Sequence, residues 1–460
     1  MAVLPGNTEH EKALNFVDTS TASTVLVSSR VRATLESSLS SQVSTSIVQI
    51  ELPNEEQGVQ MLLSTAGISA DQPAPKEAVE LVRFCRMLPL AISIAGQLVK
   101  DLELQAAEDW DGIVTLMKDE FADGSRQSVE DTVILTSLKS ITGTHKDNVT
   151  SLFKCLAIVP EDTIVPLDML AIIYQAGCST DEKPVNRPKI IMIRRWLKVL
   201  LERSLILGTV DRISLHDIVR DFTLNMYTAQ ELQQAHRRLV NLLRENRPQA
   251  PSLVPAWSTA GEIGQIDKTV TYVRDAVSKH IEAGISEDWE SDDVVVDGWL
   301  GDSPQDIITH ATAKVLGMKR LEKLVAAAEA ANDQWALARR AIATGYLIKK
   351  ETGDTLACYD WLRRGADALG KVAADDATAE ERQTQEALEL ETLGLGLAVG
   401  SSPEDAKYMP RMQYLVQQEH LDRCVFCSQC VISHPQVNYI CCMLTGLRQQ
   451  RPVATYLSPQ

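Results

Sequence analysis

Four places in the sequence carry residue types and spacings that could do chemistry. Arg30 ends the apolar run Val25-Leu26-Val27-Ser28-Ser29. A guanidinium there is always charged and presents its donors in a planar fork. Gly365-Ala366-Asp367-Ala368-Leu369-Gly370-Lys371 has the spacing of a phosphate-binding loop. Val372 follows where a Mg²⁺-ligating Ser or Thr belongs, and the surrounding pattern is helical with no strand before it. It therefore reads as a helix interrupted by glycine. Val294-Val295-Val296-Asp297 imitates a Walker B strand by the same kind of chance. Cys424, Cys427, Cys430 and His434 offer ligand types for tetrahedral zinc, but all four crowd onto one short segment. The three cysteines equally fit an i, i+3 helical stripe, and no metal is predicted. His280 and His310 fall in helical patterns and read as surface or packed residues.

Bulk properties bound what these residues can serve. A chain of 460 residues has room for two to four domains. Hydrophobic residues at 45% and charged residues at 23% describe an ordinary globular protein. Aromatics are only 5%, while Ala and Leu are abundant, which favours helices over a β-sandwich. A net charge of -17 argues against a broad nucleic-acid footprint, which must be basic. The basic run Arg194-Arg195-x-x-Lys198 then reads as a solvated helix face. Met1 to Gly6 does not open a secretory signal, and no apolar run reaches the roughly 18 residues of a membrane span. Nine cysteines are too sparse for a disulfide scaffold, so a reduced, cytoplasmic setting is expected.

The elements that must position these groups follow from periodicity. Residues 24–29 and 46–52 are near-continuous apolar runs, as expected of parallel strands covered on both faces. Helices are expected over Asn54–Gly67, Lys76–Met87 and Pro89–Val99, the last apolar all round and so buried. Further helices are expected over Val133–Leu138, Val149–Ala157, Pro166–Tyr174 and Ile191–Leu201. Ser204–Leu207 and Arg212–Leu215 read as short strands about Gly208, and His216 opens the next helix. Beyond residue 229 the pattern is helical, broken at 249–265 and by an acidic loop over 286–304. Asp333–Lys350 and Asp354–Lys371 form an expected helix hairpin. Its Gly345, Tyr346, Asp354 and Ala357 are offset like those of one tetratricopeptide (TPR) unit.

Four motifs, in order, resemble the NB-ARC family of signalling switch ATPases, the STAND class that includes disease-resistance and apoptotic regulators. Val25-Leu26-Val27-Ser28-Ser29-Arg30 is similar to the strand whose Arg senses the terminal phosphate. Cys85-Arg86-Met87-Leu88-Pro89-Leu90-Ala91 is similar to the Gly-Leu-Pro-Leu-Ala helix whose Pro packs on adenine, with Met87 in place of Gly. Leu152 to Asp162 looks like the opening of the winged helix. Leu215-His216-Asp217 is similar to the Met-His-Asp signature, whose His reaches the β-phosphate of ADP. Trp196–Leu207, with Arg203-Ser204-Leu205, also fits.

The resemblance covers roughly residues 10–225 and implies a fold and a mechanism. The fold class is mainly α. An α/β remnant of a nucleotide-binding domain over 1–68 is followed by a helical ARC1-like bundle over 69–129 and a winged-helix ARC2-like domain over 130–228. A helical, TPR-like array follows over 229–400, then a tail over 401–460 that holds the cysteine cluster. Arg30, Pro89 and His216 would hold ADP weakly, supported by Leu88, Leu90 and Asp217. The family's P-loop should lie about a hundred residues before Arg30, and Glu9–Asp18 look like the helix just after Walker B. An N-terminally truncated member is therefore expected, with the missing half encoded upstream as one explanation, and no hydrolysis by this chain alone. The implied function is a regulatory switch in intracellular, defence-like signal transduction. Its partners would be proteins bound by the C-terminal helices, with no nucleic acid, no membrane, and oligomer formation on activation. The alternative is a nucleotide-free helical-repeat scaffold or adaptor.

Overall fold

A computed structural model describes residues 48–69, 74–102, 107–122, 128–180, 183–246, 268–285, 293–300 and 307–371. The described residues are mainly helical, with one small sheet. The chain divides into two compact units, one of residues 1–141 with Glu202–Leu205, the other of Thr142–Leu201 with everything from Ile206 onward.

The first unit is built from α1 (Glu55–Ala66), α2 (Lys76–Phe84), α3 (Pro89–Asp101), α4 (Ala107–Ala122) and α5 (Val129–Lys139). Asn54 starts α1 with a capping box. Its side chain accepts from Gln57 N at 2.9 Å, and the Gln57 side chain accepts from Asn54 N at 2.9 Å. Two helix-end donors are thus satisfied, and Glu55 and Glu56 in the first turn suit the positive end of the helix dipole. Helix α3 lies between α1 and α5. It buries Ala91, Ile92, Ile94, Ala95, Leu98 and Val99, which is why its sequence is apolar all round. Leu62, Leu81, Trp110, Met117 and Ile134 complete this core.

Two expectations change here. The expected strand over 46–52 is not a strand from residue 48 onward, and Val48, Ile50 and Leu52 are exposed. An apolar run becomes a strand only when a neighbour pairs its backbone, and no described strand does so. The helix expected to reach Met87 stops at Phe84, because Arg86 and Met87 turn into the left-handed region.

The second unit opens with α6 (Lys146–Cys155), a 3₁₀ turn (Leu156–Ile158), β1 (Val165–Pro166), α7 (Leu167–Cys178) and α8 (Ile190–Glu202), whose last residue groups with the first unit. Strands β2 (Leu207–Thr209) and β3 (Arg212–Ser214) then form an antiparallel hairpin. The sheet order is β1-β3-β2, with Val165 and Gly208 both opposite Ile213. Gly208 has φ +96° and lies so close to Arg212 that a Cβ would meet its carbonyl oxygen at 2.3 Å. Only glycine fits there. The β1 strand was not legible, since two residues are too short to show an alternation and Pro166 reads as a helix start.

Among the described residues there follow α9 (Asp217–Leu224), α10 (Ala229–Glu245), α11 (Lys268–Gly284), α12 (Asp293–Leu300), α13 (Ile307–Ala330, broken by a kink at Gly317), α14 (Gln334–Thr352) and α15 (Thr355–Leu369). The expected loop over 286–304 thus contains a helix. Its acidic and glycine content hides Val296, Trp299 and Leu300, which are buried. The Trp299 Nε1–H donates to Asn241 Oδ1 at 2.7 Å. Helices α14 and α15 form the expected hairpin. Gly353 ends α14 in the left-handed region, and the Asp354 carboxylate caps α15 by accepting from Ala357 N at 2.9 Å. Residues 365–369 of the loop-like Gly365–Lys371 motif lie in α15, and Val294–Asp297 lies in α12, so neither has the strand that phosphate chemistry requires.

Candidate functional site

The described candidates fall at two helix starts, one in each unit. In the first unit, Leu88 is the residue before α3 and Pro89 its first helical residue. Proline suits that position because its φ is preset and its missing N–H would have no helical partner anyway. Pro89 is exposed, while Met87, Leu88 and Leu90 are half-buried. Together they form a small apolar lip on a helix whose other face is core.

The turn that presents this lip is unusual. Arg86 and Met87 have φ +53° and +60° in succession, although neither is glycine. Leu88 N donates to Cys85 O at 3.0 Å and Met87 N to Val82 O at 3.3 Å, so the geometry is held by the end of α2. Left-handed backbone costs an L-residue about 1–2 kcal/mol. Replacing Met87 by Gly should therefore raise the unfolding free energy by about 1 kcal/mol, after the extra chain entropy of glycine is counted. Urea denaturation checks this, and a destabilised Met87→Gly protein would contradict it.

The second helix start is in the other unit. His216 precedes α9 in extended backbone (φ −76°, ψ 142°), and Asp217 is the first helical residue. Ile218 N donates to His216 Nδ1 at 3.3 Å. With Nδ1 accepting, the neutral imidazole carries its proton on Nε2. His216 therefore caps the helix with one nitrogen and offers a donor with the other. The helix is anchored from below: Arg220 Nε donates to Val159 O at 3.1 Å, and Phe222 packs on Phe153 with ring centroids 6.2 Å apart. Leu88, Pro89 and Leu90 thus come together, as do His216 and Asp217. Arg30 and the Cys424, Cys427, Cys430 and His434 cluster lie outside the described residues.

Arg203, from the Arg-Ser-Leu segment, is a structural anchor. Its guanidinium donates to Ser137 O at 3.0 Å and Ser140 Oγ at 2.6 Å, and it pairs with Asp101 at 3.1 Å. Burial lowers the pKa of Arg203 and raises that of Asp101, so desolvation outweighs their attraction in both groups.

Sequence reasoning missed a polar cluster between α10 and α11. His236 Nδ1 lies 3.1 Å from His280 Nδ1, and Tyr272 Oη lies 3.0 Å from His280 Nε2. All three are buried. Burial holds His236 down to about 4 and His280 well below the ordinary histidine value, and it raises Tyr272. The sequence left His280 as a surface or packed residue, and the structure buries it. Its partner is 44 positions away in the chain, and only the pairing of the two helices brings it near.

No protein-family model matches the chain, and no curated protein matches its sequence.

Proposed function

We propose that this chain is a regulatory switch protein of the NB-ARC type, which binds ADP weakly and does not hydrolyse nucleotide alone. The observation that carries the reading is the left-handed backbone at Met87 (φ +60°). The motif resembled here has glycine at that position, and positive φ is what glycine serves. The lip of Leu88, Pro89 and Leu90 is then the adenine-packing surface. His216 is the phosphate contact, donating from Nε2, with Asp217 at its side and Arg30 as phosphate sensor.

Secondary features support the same reading. In the second unit, α6, β1, α7, α8, β2 and β3 run in the helix-strand-helix-helix-strand-strand order of a winged helix, with the antiparallel strand order β1-β3-β2. The α14–α15 hairpin supports a TPR-like C-terminal region that binds protein partners. On this reading, ADP loss frees the latch, and oligomer formation follows activation. The protein acts in the cytoplasm in defence-like signalling, without nucleic-acid or membrane partners. Among the described residues no helix is long and apolar enough to cross a membrane.

The exposed run Val48, Ile50 and Leu52, where a strand was expected, favours the second reading of a nucleotide-free scaffold. Calorimetric titration of the purified chain with ADP separates the two. Heat of binding at high micromolar ADP supports the switch, and its absence leaves the scaffold. Where ADP binds, His216→Val should weaken it about tenfold, the worth of one hydrogen bond to a charged group. An unchanged affinity would remove His216 from the site.

A further inference from the structure

Cys155 ends α6 and Cys178 ends α7. Their sulfurs lie 3.3 Å apart, although the residues are 23 positions apart in the chain. That approach has a specific cause in the sequence. Gly177 has no side chain, and a Cβ there would stand 2.6 Å from Cys155 Sγ. The glycine leaves the space that the Cys155 sulfur fills.

The surroundings treat the two thiols differently. Cys155 is buried, while Cys178 is only half-buried. Tyr227 Oη lies 4.0 Å from Cys155 Sγ and 3.4 Å from Gly177 O, and the Lys154 ammonium sits 4.2 Å from the Tyr227 ring centre. The hydrogen bond to Cys178, together with burial, holds the Cys155 proton on. The same hydrogen bond, helped by the Tyr174 hydroxyl and the Lys154 charge, lowers the pKa of Cys178. The more exposed sulfur is therefore the one that ionises, and the thiolate is the nucleophile in thiol chemistry. The buried sulfur stands within reach as a resolving thiol, the arrangement that redox-responsive cysteines share.

We propose that Cys155 and Cys178 are a thiol modification site, at which hydrogen peroxide closes a disulfide between the ends of α6 and α7. The thiolate of Cys178 attacks one peroxide oxygen. The O–O bond breaks, hydroxide leaves, and Cys178 becomes a sulfenic acid. Cys155 Sγ then attacks Cys178 Sγ. The S–OH bond breaks, the S–S bond forms, and the Cys155 proton leaves with the hydroxyl as water. Two thiols are oxidised and one peroxide is reduced to two waters. A thiol reductant reverses the product. The disulfide closes residues 155–178 into a ring that contains β1 and α7. The proposal is independent of nucleotide binding.

Peptide mapping of the full chain after hydrogen peroxide treatment tests this directly. Both cysteines fall in the tryptic peptide that begins after Lys154. The expected product has lost the mass of two hydrogens, takes no iodoacetamide at either sulfur, and recovers both sites in dithiothreitol. In Cys155→Ala, Cys178 should stop at a sulfenic acid that dimedone traps. In Cys178→Ala, Cys155 should stay unmodified at the same peroxide dose. A wild-type peptide in which Cys178 goes on to sulfinic acid while Cys155 still alkylates would overturn the proposal. So would a cross-link from Cys178 to any other cysteine, or a peptide unchanged by peroxide. The wild-type result decides even where a variant does not fold.

Discussion

Acidification from neutral pH to about 4 is expected to remove about 3 kcal/mol of stability from the second unit through His236 alone. The cause is the buried imidazole pair. Each ring carries one proton when neutral, and one consistent arrangement has Tyr272 donating to His280 Nε2 and His280 Nδ1 donating to His236 Nδ1. An imidazolium in this site loses its hydration, and Arg220 and Lys279 add repulsion to His236 and His280 respectively. Two imidazoliums would set N–H against N–H at 3.1 Å. The folded pKa of His236 is thus depressed from 6.5 to about 4, and the unfolded chain takes up protons first as pH falls. Its stabilising contribution is complete above 6.5 and declines as pH drops towards about 4. His280 acts in the same direction. Urea denaturation across this range should show a shallower pH slope in His236→Gln than in the wild type. Equal slopes would refute the assignment. The imidazole signals of both histidines should also stay in their neutral positions through pH 6.5 in a proton NMR titration.

The same cluster shows where sequence reading stops. Most of the helices, though not α4 or α12, were legible because their signals are local. Asn54 with Gln57, Asp333 and Asp354 mark helix starts within three residues of the groups they cap. The hairpin at Gly353 was legible for the same reason, since its left-handed turn needs only the glycine. Pro89 and His216 were legible as residues at helix starts. The left-handed turn at Met87 was not, because a methionine gives no sign of positive φ. From residue 48 onward the strand expected over 46–52 failed, because a strand depends on a partner that periodicity does not identify. The pairs Cys155–Cys178, His236–His280 and Asp297–Arg340 depend on which helices pack together and at what register. Asp297 even gave a false signal, since three valines before an acid imitate a Walker B strand until helix α12 places the acid elsewhere.

That acid marks the other large effect. Arg340→Ala should cost about 3–5 kcal/mol, the range for removing one member of a buried ion pair. Arg340, on α14, is almost wholly buried. It grips Asp297 of α12 with both arms of its guanidinium, Nε to Oδ1 at 2.8 Å and Nη2 to Oδ2 at 2.7 Å. Its Nη1 also donates to Leu324 O of α13. One side chain therefore ties three helices, and the fork geometry matches the carboxylate in a way no lysine could. Truncation leaves the Asp297 charge, with its side chain only 23% exposed, stripped of its guanidinium partner. Most of the loss should come from that stranded carboxylate rather than from the missing attraction. The double variant Arg340→Met with Asp297→Leu separates these contributions, because it removes both charges and restores apolar volume. It should recover more than half of what Arg340→Ala loses, as measured by urea denaturation. If the double variant is no more stable than Arg340→Ala, the pair itself, and not the uncompensated charge, supplies the stability. If Arg340→Ala loses under about 1 kcal/mol, the contact is no better than an exposed surface pair.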